Sequence, residues 1–427
     1  MADLISPGVQ VKEKDLTTSV ASGATSVGAF AGIFEKGPID QVIIIDSEET
    51  LVAIFGKPNT TNFRYWFTAA SFLMYGNTLK VVRVLTATAK NATSNGSGLL
   101  VKNNKHYSDG DGTTGPYDDG SAAVGIFAAR SAGAWGNNIF AQICATGDAF
   151  QRTTDSPTAR PTLTAQAAAA AGAITVSSVS GFAVGSIIYL QETNGQRYQV
   201  TAINSLVLDI VRYPASVAAG LTTAVASGVK VDRYWKYYEQ FDTAPGTSQY
   251  VSDRSGVNDE MHIIVLDRGG VITGTAGTVI EKWDAVSKGS DAKTPEGNAN
   301  YYPDVLYNSS AYIYWLDHPA GATNWGQAVL VRAFTAPTTD PGTNIFVSGA
   351  DGNAPTEGQR STGYDLFKDP ETQDINLLMS GPASVDGAGA ITHAVKINDM
   401  VAARKDCVGF ISPSRSDVVA VATSYNQ

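Results

Sequence analysis

The sequence predicts a multidomain α/β (α+β) protein: a mixed-sheet α/β body with an all-β barrel or sandwich domain inserted into it. Three observations predict this. The 427 residues exceed what one core organises. Strand-length apolar runs alternate with helical periodicity near both ends, over residues 27–85 and 346–412. Between them, four short strand signals over 174–211 succeed one another with no helical pattern.

The first twenty-two residues read as an extended arm. Leu4, Ile5, Val9, Val11 and Glu13 lie in a short alternating stretch around the turn Ser6-Pro7-Gly8. A lone strand there must find a sheet, either as an edge of its own domain or in a neighbouring subunit. Residues 27–34 are an apolar strand closed by Gly37-Pro38, and 41–45 are a second strand. Asp46 caps a helix whose first turn holds Glu48 and Glu49, and Gly56 stops it after Phe55. Asn62 opens a second helix, with Phe63, Trp66, Phe67, Ala70, Leu73 and Met74 on one apolar face. Gly76 ends it, and 79–85 is a strand apolar on both faces.

Residues 90–120 are rich in Asn, Ser, Gly, Thr and Asp and read as a long surface loop. A strand follows at 139–145. After a linker at 153–161 come strands at 174–178, 186–192, 196–202 and 206–211, with a hairpin turn at Asn194-Gly195. The α/β pattern resumes with a strand at 261–267, a helix at 278–288 carrying Val279, Trp283 and Val286, and strands at 311–316 and 346–353. A strand at 375–380, a helix at 390–405, a strand at 407–412 and a helix start at Ser416 complete the chain. The expected division is an arm (1–22), a discontinuous α/β domain (23–152 and 242–345, with a surface loop near 90–125), an outward-facing β domain (153–241) and a second α/β domain (346–427).

Composition narrows the function. Apolar residues are an ordinary 43%, but charged residues are only 16%, so the polar surface falls to Ser, Thr, Asn, Gln and 42 glycines. That balance suits loop-rich and assembly proteins and opposes a coiled coil or a charged disordered tail. A net charge of −10 opposes a nucleic-acid partner, since DNA and RNA are gripped by basic surface. The two cysteines, Cys144 and Cys407, lie in apolar runs and read as small buried hydrophobes, with neither a disulfide framework nor a Cys-based zinc site. The N-terminus lacks the basic and apolar regions of a signal peptide, and no apolar run nears the ~20 residues of a membrane span. Neither membrane insertion nor export is expected.

Chemistry-bearing motifs are few. His106, His262, His318 and His393 are mutually distant and read as structural. Gly110-x-Gly112-x-x-Gly115 matches a dinucleotide fingerprint in letters alone, because no strand precedes it and Pro116 follows where a helix should begin. The acids around it lack EF-hand spacing. No P-loop, nucleophile elbow or zincin motif occurs. The expectation is no enzyme, no catalytic or metal-ligating residue and no cofactor.

Six segments, in order, resemble the contractile tail sheath proteins of myovirus-type bacteriophages. They are Ser6-Pro7-Gly8-Val9-x-Val11-x-Glu13; Val27-Gly-Ala-Phe-Ala-Gly32 with Lys36-Gly37-Pro38; Phe55-Gly56-Lys-Pro58; Phe72-Leu-x-Tyr-Gly76-Asn77 with Leu79-x-Val81-Val82-Arg83-Val84; Phe346-x-Ser348-Gly349-Ala350-Asp351-Gly352; and Arg404-Lys-Asp406-Cys407 through Ser412-Pro413. Ala350 stands where the family's turn has a glycine. The resemblance covers roughly residues 4–90 and 346–420. It implies a structural virion protein, made in the host bacterial cytoplasm, which stacks with copies of itself as hexameric rings around a tail tube. The sleeve contracts to drive the tube through the host envelope. The arm would add a strand to a neighbour's sheet. Tube and baseplate proteins would be met through a C-terminal domain that follows the Ser412-Pro413 segment in the family and that this chain is expected to lack. The alternatives are another phage structural or decoration protein, the sheath of a contractile bacteriocin or secretion system, or an enzyme with a dispersed active site.

Overall fold

The computed structural model describes residues 26–110, 112, 115–155, 159–214, 220–382 and 387–413. The arm residues Leu4, Ile5, Val9, Val11 and Glu13, with Ser6, Pro7 and Gly8, lie outside the described residues, as does the helix expected at Ser416.

The chain forms two compact units, residues 1–86 with 354–427, and residues 87–353. This differs from the expected division, which joined residues 23–152 to 242–345. The difference arises from strand pairing. Val27–Gly32 lies between Thr78–Arg83 and Leu377–Met379, both parallel to it, so the N-terminal α/β segment completes its sheet with the C-terminal one.

The first unit is built on a five-stranded sheet. In spatial order it runs Val408–Phe410, Leu377–Met379, Val27–Gly32, Thr78–Arg83 and Val42–Ile45. The first four are parallel and the last is antiparallel. Helix Glu48–Phe55 is capped by Ser47 rather than Asp46, since the Ser47 hydroxyl accepts from the Thr50 amide at 3.2 Å. Asp46 sits one residue too early and accepts instead from the Thr50 hydroxyl at 2.6 Å. Helix Phe63–Leu73 packs Trp66, Ala69 and Ala70 with Phe30, Leu79 and Val81. Phe63, Phe67 and Met74 of the predicted apolar face are instead exposed, at 43%, 53% and 73%. On the opposite sheet face, helices Glu357–Asp365 and Gly387–Arg404 close a core of Ala29, Ala31, Leu378, Tyr364 and Ile397.

The second unit centres on an antiparallel sheet in the order Thr278–Ser287, Glu260–Asp267, Ile139–Cys144 and Gly342–Ile345. Residues 278–288, expected as a helix, are therefore a strand. Two register shifts against Glu260–Asp267 and a left-handed Ala285 (φ 48°) break its alternation. The resulting spacing of Val279, Trp283 and Val286 imitates a helical face. The strand expected at 346–353 lies earlier, at Gly342–Ile345, and Phe346–Gly352 follows as a loop bridged to Lys90 and Thr93. Nor is 90–120 all surface: Asn91, Ala92, Thr93 and Val101 are buried, and a short helix, Asn104–Asp109, buries Tyr107 against Tyr314.

Residues 151–234 contribute a separate six-stranded sheet, in the order Gln151–Arg152, Asp232–Tyr234, Ile187–Tyr189, Arg197–Asn204, Val207–Tyr213 and Ala173–Thr175, with every pairing antiparallel. Gly195 takes φ 70° in the turn predicted between its hairpin strands. Ile174, Ile188, Tyr198, Val200, Leu208 and Val231 are among its buried side chains.

Candidate docking surface

Gly37, Gly56 and Gly349 sit where the backbone is packed too closely for other residues. In the first unit, Gly37 takes φ 102°, and a Cβ there would come within 2.7 Å of the Phe55 ring. Gly56 closes its helix at φ 82°, and its carbonyl accepts from the Trp66 indole at 2.9 Å. Between these turns lies the buried guanidinium of Arg83. It donates to the carbonyls of Phe34 (3.0 Å), Gly37 (2.9 Å) and Glu35 (2.9 Å). The half-buried Pro38 follows directly. Three quoted motifs thus meet at one point and hold the loop after the first strand. The Phe72 ring fills the space that side chains on Gly28 and Gly76 would occupy.

In the second unit, Gly349 exchanges two hydrogen bonds with the Asn137 side chain, at 2.8 and 2.9 Å. A Cβ on Gly349 would meet the backbone near Ala92 and Gly133. Asp351 accepts from the Ala134 amide at 2.9 Å, and Gly352 takes φ 75°. The family-like turn is therefore a clamp on the segment 133–138, a role that Asn137 shares and that no spacing in the sequence marked.

Ser412 and Pro413 are exposed at the end of the strand Val408–Phe410. The Ser412 amide donates to the Ser380 hydroxyl at 3.2 Å. They stand beside an apolar groove of about 850 Å³. Phe63, Phe67 and Phe72 form one wall, while Leu377, Met379 and Phe410 form the floor. Val408 pairs with Leu377 and Phe410 with Met379, so alternate residues of both strands share the floor. Phe410 is 54% exposed, and among the described residues its strand has no neighbour on its outer edge. An apolar face beside an edge unpaired among the described residues is a candidate docking surface. In the sequence, the signal was the helix itself: Phe63, Tyr65, Trp66, Phe67, Phe72 and Leu73 leave it apolar nearly all round, as a helix covered on two sides requires.

Lys288 and His262 are buried polar groups with structural partners. Lys288 donates to the carbonyls of Ala145, Asn258 and Glu260, and burial is the main cause that lowers its pKa to about 8. His262 lies between the Thr243 carbonyl (2.8 Å) and the Ala285 amide (3.1 Å), and burial lowers its pKa. Burial likewise lowers those of His318 and His393. Cys144 is buried, as predicted, whereas Cys407 is only half-buried. No group of three or more His, Cys, Asp or Glu side chains able to hold a metal ion, and no helix long and apolar enough to cross a membrane, occurs among the described residues.

No family model matches the chain. It is 26% identical over 455 aligned positions to the tail sheath protein of Enterobacteria phage T4, covering 98% of this chain and 63% of that protein. The tail sheath protein of Vibrio phage KVP40 is 26% identical over 462 positions, covering 97% and 63%. That of Salmonella phage ViI is 25% identical over 343 positions, covering 73% and 49%. The chain thus spans less than two thirds of the length of these curated relatives. A solved structure of a sheath tail protein from Desulfitobacterium hafniense aligns with 94% of this chain and 51% of its own, at 11% identity and a TM-score of 0.38.

Proposed function

We propose that the chain is a tail sheath protein, as its likeness to three tail sheath proteins of bacteriophages supports, and that it polymerises with copies of itself as stacked hexameric rings around a tail tube. It is a structural virion protein and not an enzyme. In the proposed cycle, contraction of the sleeve drives the tube through the host envelope. The work comes from many subunits passing to a lower-energy packing, which requires no nucleotide site. The observation that carries this reading is the likeness running along 98% of the chain rather than through one motif. The close-packed turns at Gly37, Gly56 and Gly349 support it, because subunits that slide past one another as bodies need rigid loops.

The finer assignments rest on the same premise. The arm residues Leu4, Ile5, Val9, Val11 and Glu13 pair as a strand with a neighbour's sheet, keeping subunits linked while they move. The block around 153–241 faces outward. Tube and baseplate contacts belong to regions of the full-length relatives that this chain does not span. Synthesis takes place in the host cytoplasm.

Immunogold microscopy of the virion, with antibodies to this chain, tests the reading. Labelling along the whole tail shaft is expected. Label confined to the capsid or the fibres would replace it with a different structural role.

A further inference from the structure

The second unit contains a cavity of about 370 Å³ whose floor is aromatic and whose rim is acidic. Helix Asn104–Asp109 contributes Tyr107, helix Tyr302–Ser309 places Asp304 and Tyr307 one turn apart on one face, and Trp315, His318 and Trp325 lie beneath. Trp315 and Trp325 are 5% and 6% exposed, whereas Asp304 and the loop carboxylates Asp118 and Asp119 reach solvent. Gly120 takes φ 75°, and a Cβ on it would stand 3.1 Å from the Trp315 ring, so the acidic loop is pressed against the floor. Both indole N–H groups are engaged elsewhere: Trp315 donates to the Tyr302 hydroxyl at 2.7 Å and Trp325 to the Thr335 carbonyl at 3.0 Å. Burial lowers the pKa of His318, which keeps its ring neutral at pH 7. No lysine or arginine lines the cavity, and Lys105, on the helix that carries Tyr107, is paired with Asp109.

We propose that this cavity binds a small alkylammonium cation, with its apolar body on the aromatic floor and its charge toward Asp118, Asp119 and Asp304. Three other ligand classes fit the lining less well. An anion would meet three carboxylates and no cationic side chain. A metal ion needs ligands that converge, and among the described residues no three His, Cys, Asp or Glu side chains are grouped to hold one. A neutral sugar needs donors as well as acceptors, but carboxylates only accept and both indole N–H groups are taken. An alkylammonium matches what the cavity offers. Its N–H groups donate to carboxylates in charge-assisted hydrogen bonds, and aromatic faces attract a cation placed over them. Its methylenes lie against rings that a fully hydrated ion could not use. The inference is independent of the sheath reading, which assigns no role to this cavity.

Calorimetric titration of the full 427-residue chain with butylammonium chloride tests this, with butan-1-ol as a neutral ligand of nearly the same shape. Saturable binding of butylammonium in the millimolar range is expected, with the alcohol at least about tenfold weaker. Asp118→Asn combined with Asp304→Asn, both on the exposed rim, should weaken butylammonium by about tenfold. Asp109→Asn, whose carboxylate lies outside the cavity and is paired with Lys105, should leave the affinity unchanged. Near-UV circular dichroism checks that each variant keeps the parent fold. Equal affinity for amine and alcohol, tighter binding of glucose or of Ca²⁺ than of butylammonium, or no saturable binding by the folded chain would each overturn the proposal. So would an equal loss in the Asp109→Asn chain, because the effect would then belong to overall charge and not to the cavity.

Discussion

Arg83 holds the loop 34–37 of the first unit. Its guanidinium is fully buried and donates to three carbonyls of the loop 34–37, groups that would otherwise be desolvated without a partner. Arg83→Met keeps the stem and removes the donors, and should cost roughly 3–5 kcal/mol. Urea unfolding measures this, and a cost below about 1 kcal/mol would mean that water replaces the guanidinium. At His262, Nε2 faces the Thr243 carbonyl at 2.8 Å, while Nδ1 lies 3.1 Å from the Ala285 amide and 3.0 Å from an Asp284 carboxylate oxygen. Burial among Phe241 and Phe150 lowers its pKa, and nearby Lys288 adds to the effect while Asp284 opposes it. Because the folded pKa lies below the unfolded value near 6.5, the unfolded chain takes up the proton first as pH falls. This residue therefore contributes stability above about pH 6.5 that is lost on acidification through the folded pKa. The loss of stability between pH 7.5 and 5.5 should be smaller in His262→Gln than in the parent chain. Equal losses would place the titration elsewhere.

At the scale of elements, Trp66 and Phe67 are adjacent in sequence and opposite in role. Trp66 is 3% exposed and hydrogen-bonds Gly56, so Trp66→Ala should cost about 3–5 kcal/mol. A cost below about 1 kcal/mol would mean that its face is misassigned. Periodicity revealed this helix but not which side of it the sheet covers, because nearly every side is apolar. The same limit explains the strand Thr278–Ser287. Its bulges replace alternation with a spacing of four and three, and only the neighbouring strand distinguishes that from a helix. By contrast, the hairpin at Asn194-Gly195 was legible because one turn type requires those residues. The limits of the β block were legible only in part. Trp235 and Phe241, within the expected 153–241, pack with Cys144, Ile264 and Leu266 of the second unit's main sheet. Pro161 and Val231 are hydrogen-bonded neighbours, so a cut there leaves ends already together. Deleting 162–230 with a short glycine link should leave a folded, soluble remainder, whereas deleting 153–241 should not. Circular dichroism and sedimentation distinguish the two, and collapse of both would show that the block and the main sheet fold as one.

At the scale of the whole molecule, the described motifs that carried the resemblance act on the packing of loops. Gly37, Gly56, Gly349 and Asp351 hold loops in place, which is why they could be read from sequence without disclosing a site. The docking face was hidden for the opposite reason. Phe63, Phe67, Leu377 and Phe410 are ordinary apolar residues far apart in the chain, and only strand order brings them together. The central proposal is that this chain is a sheath subunit. Helical reconstruction by electron cryomicroscopy of the virion tail, before and after contraction, tests it most directly. Six copies are expected in each layer outside an inner tube, with both units fitting the density in both states and only the packing between copies changed. Density for this chain in the inner tube, or units refolded between the two states, would contradict it.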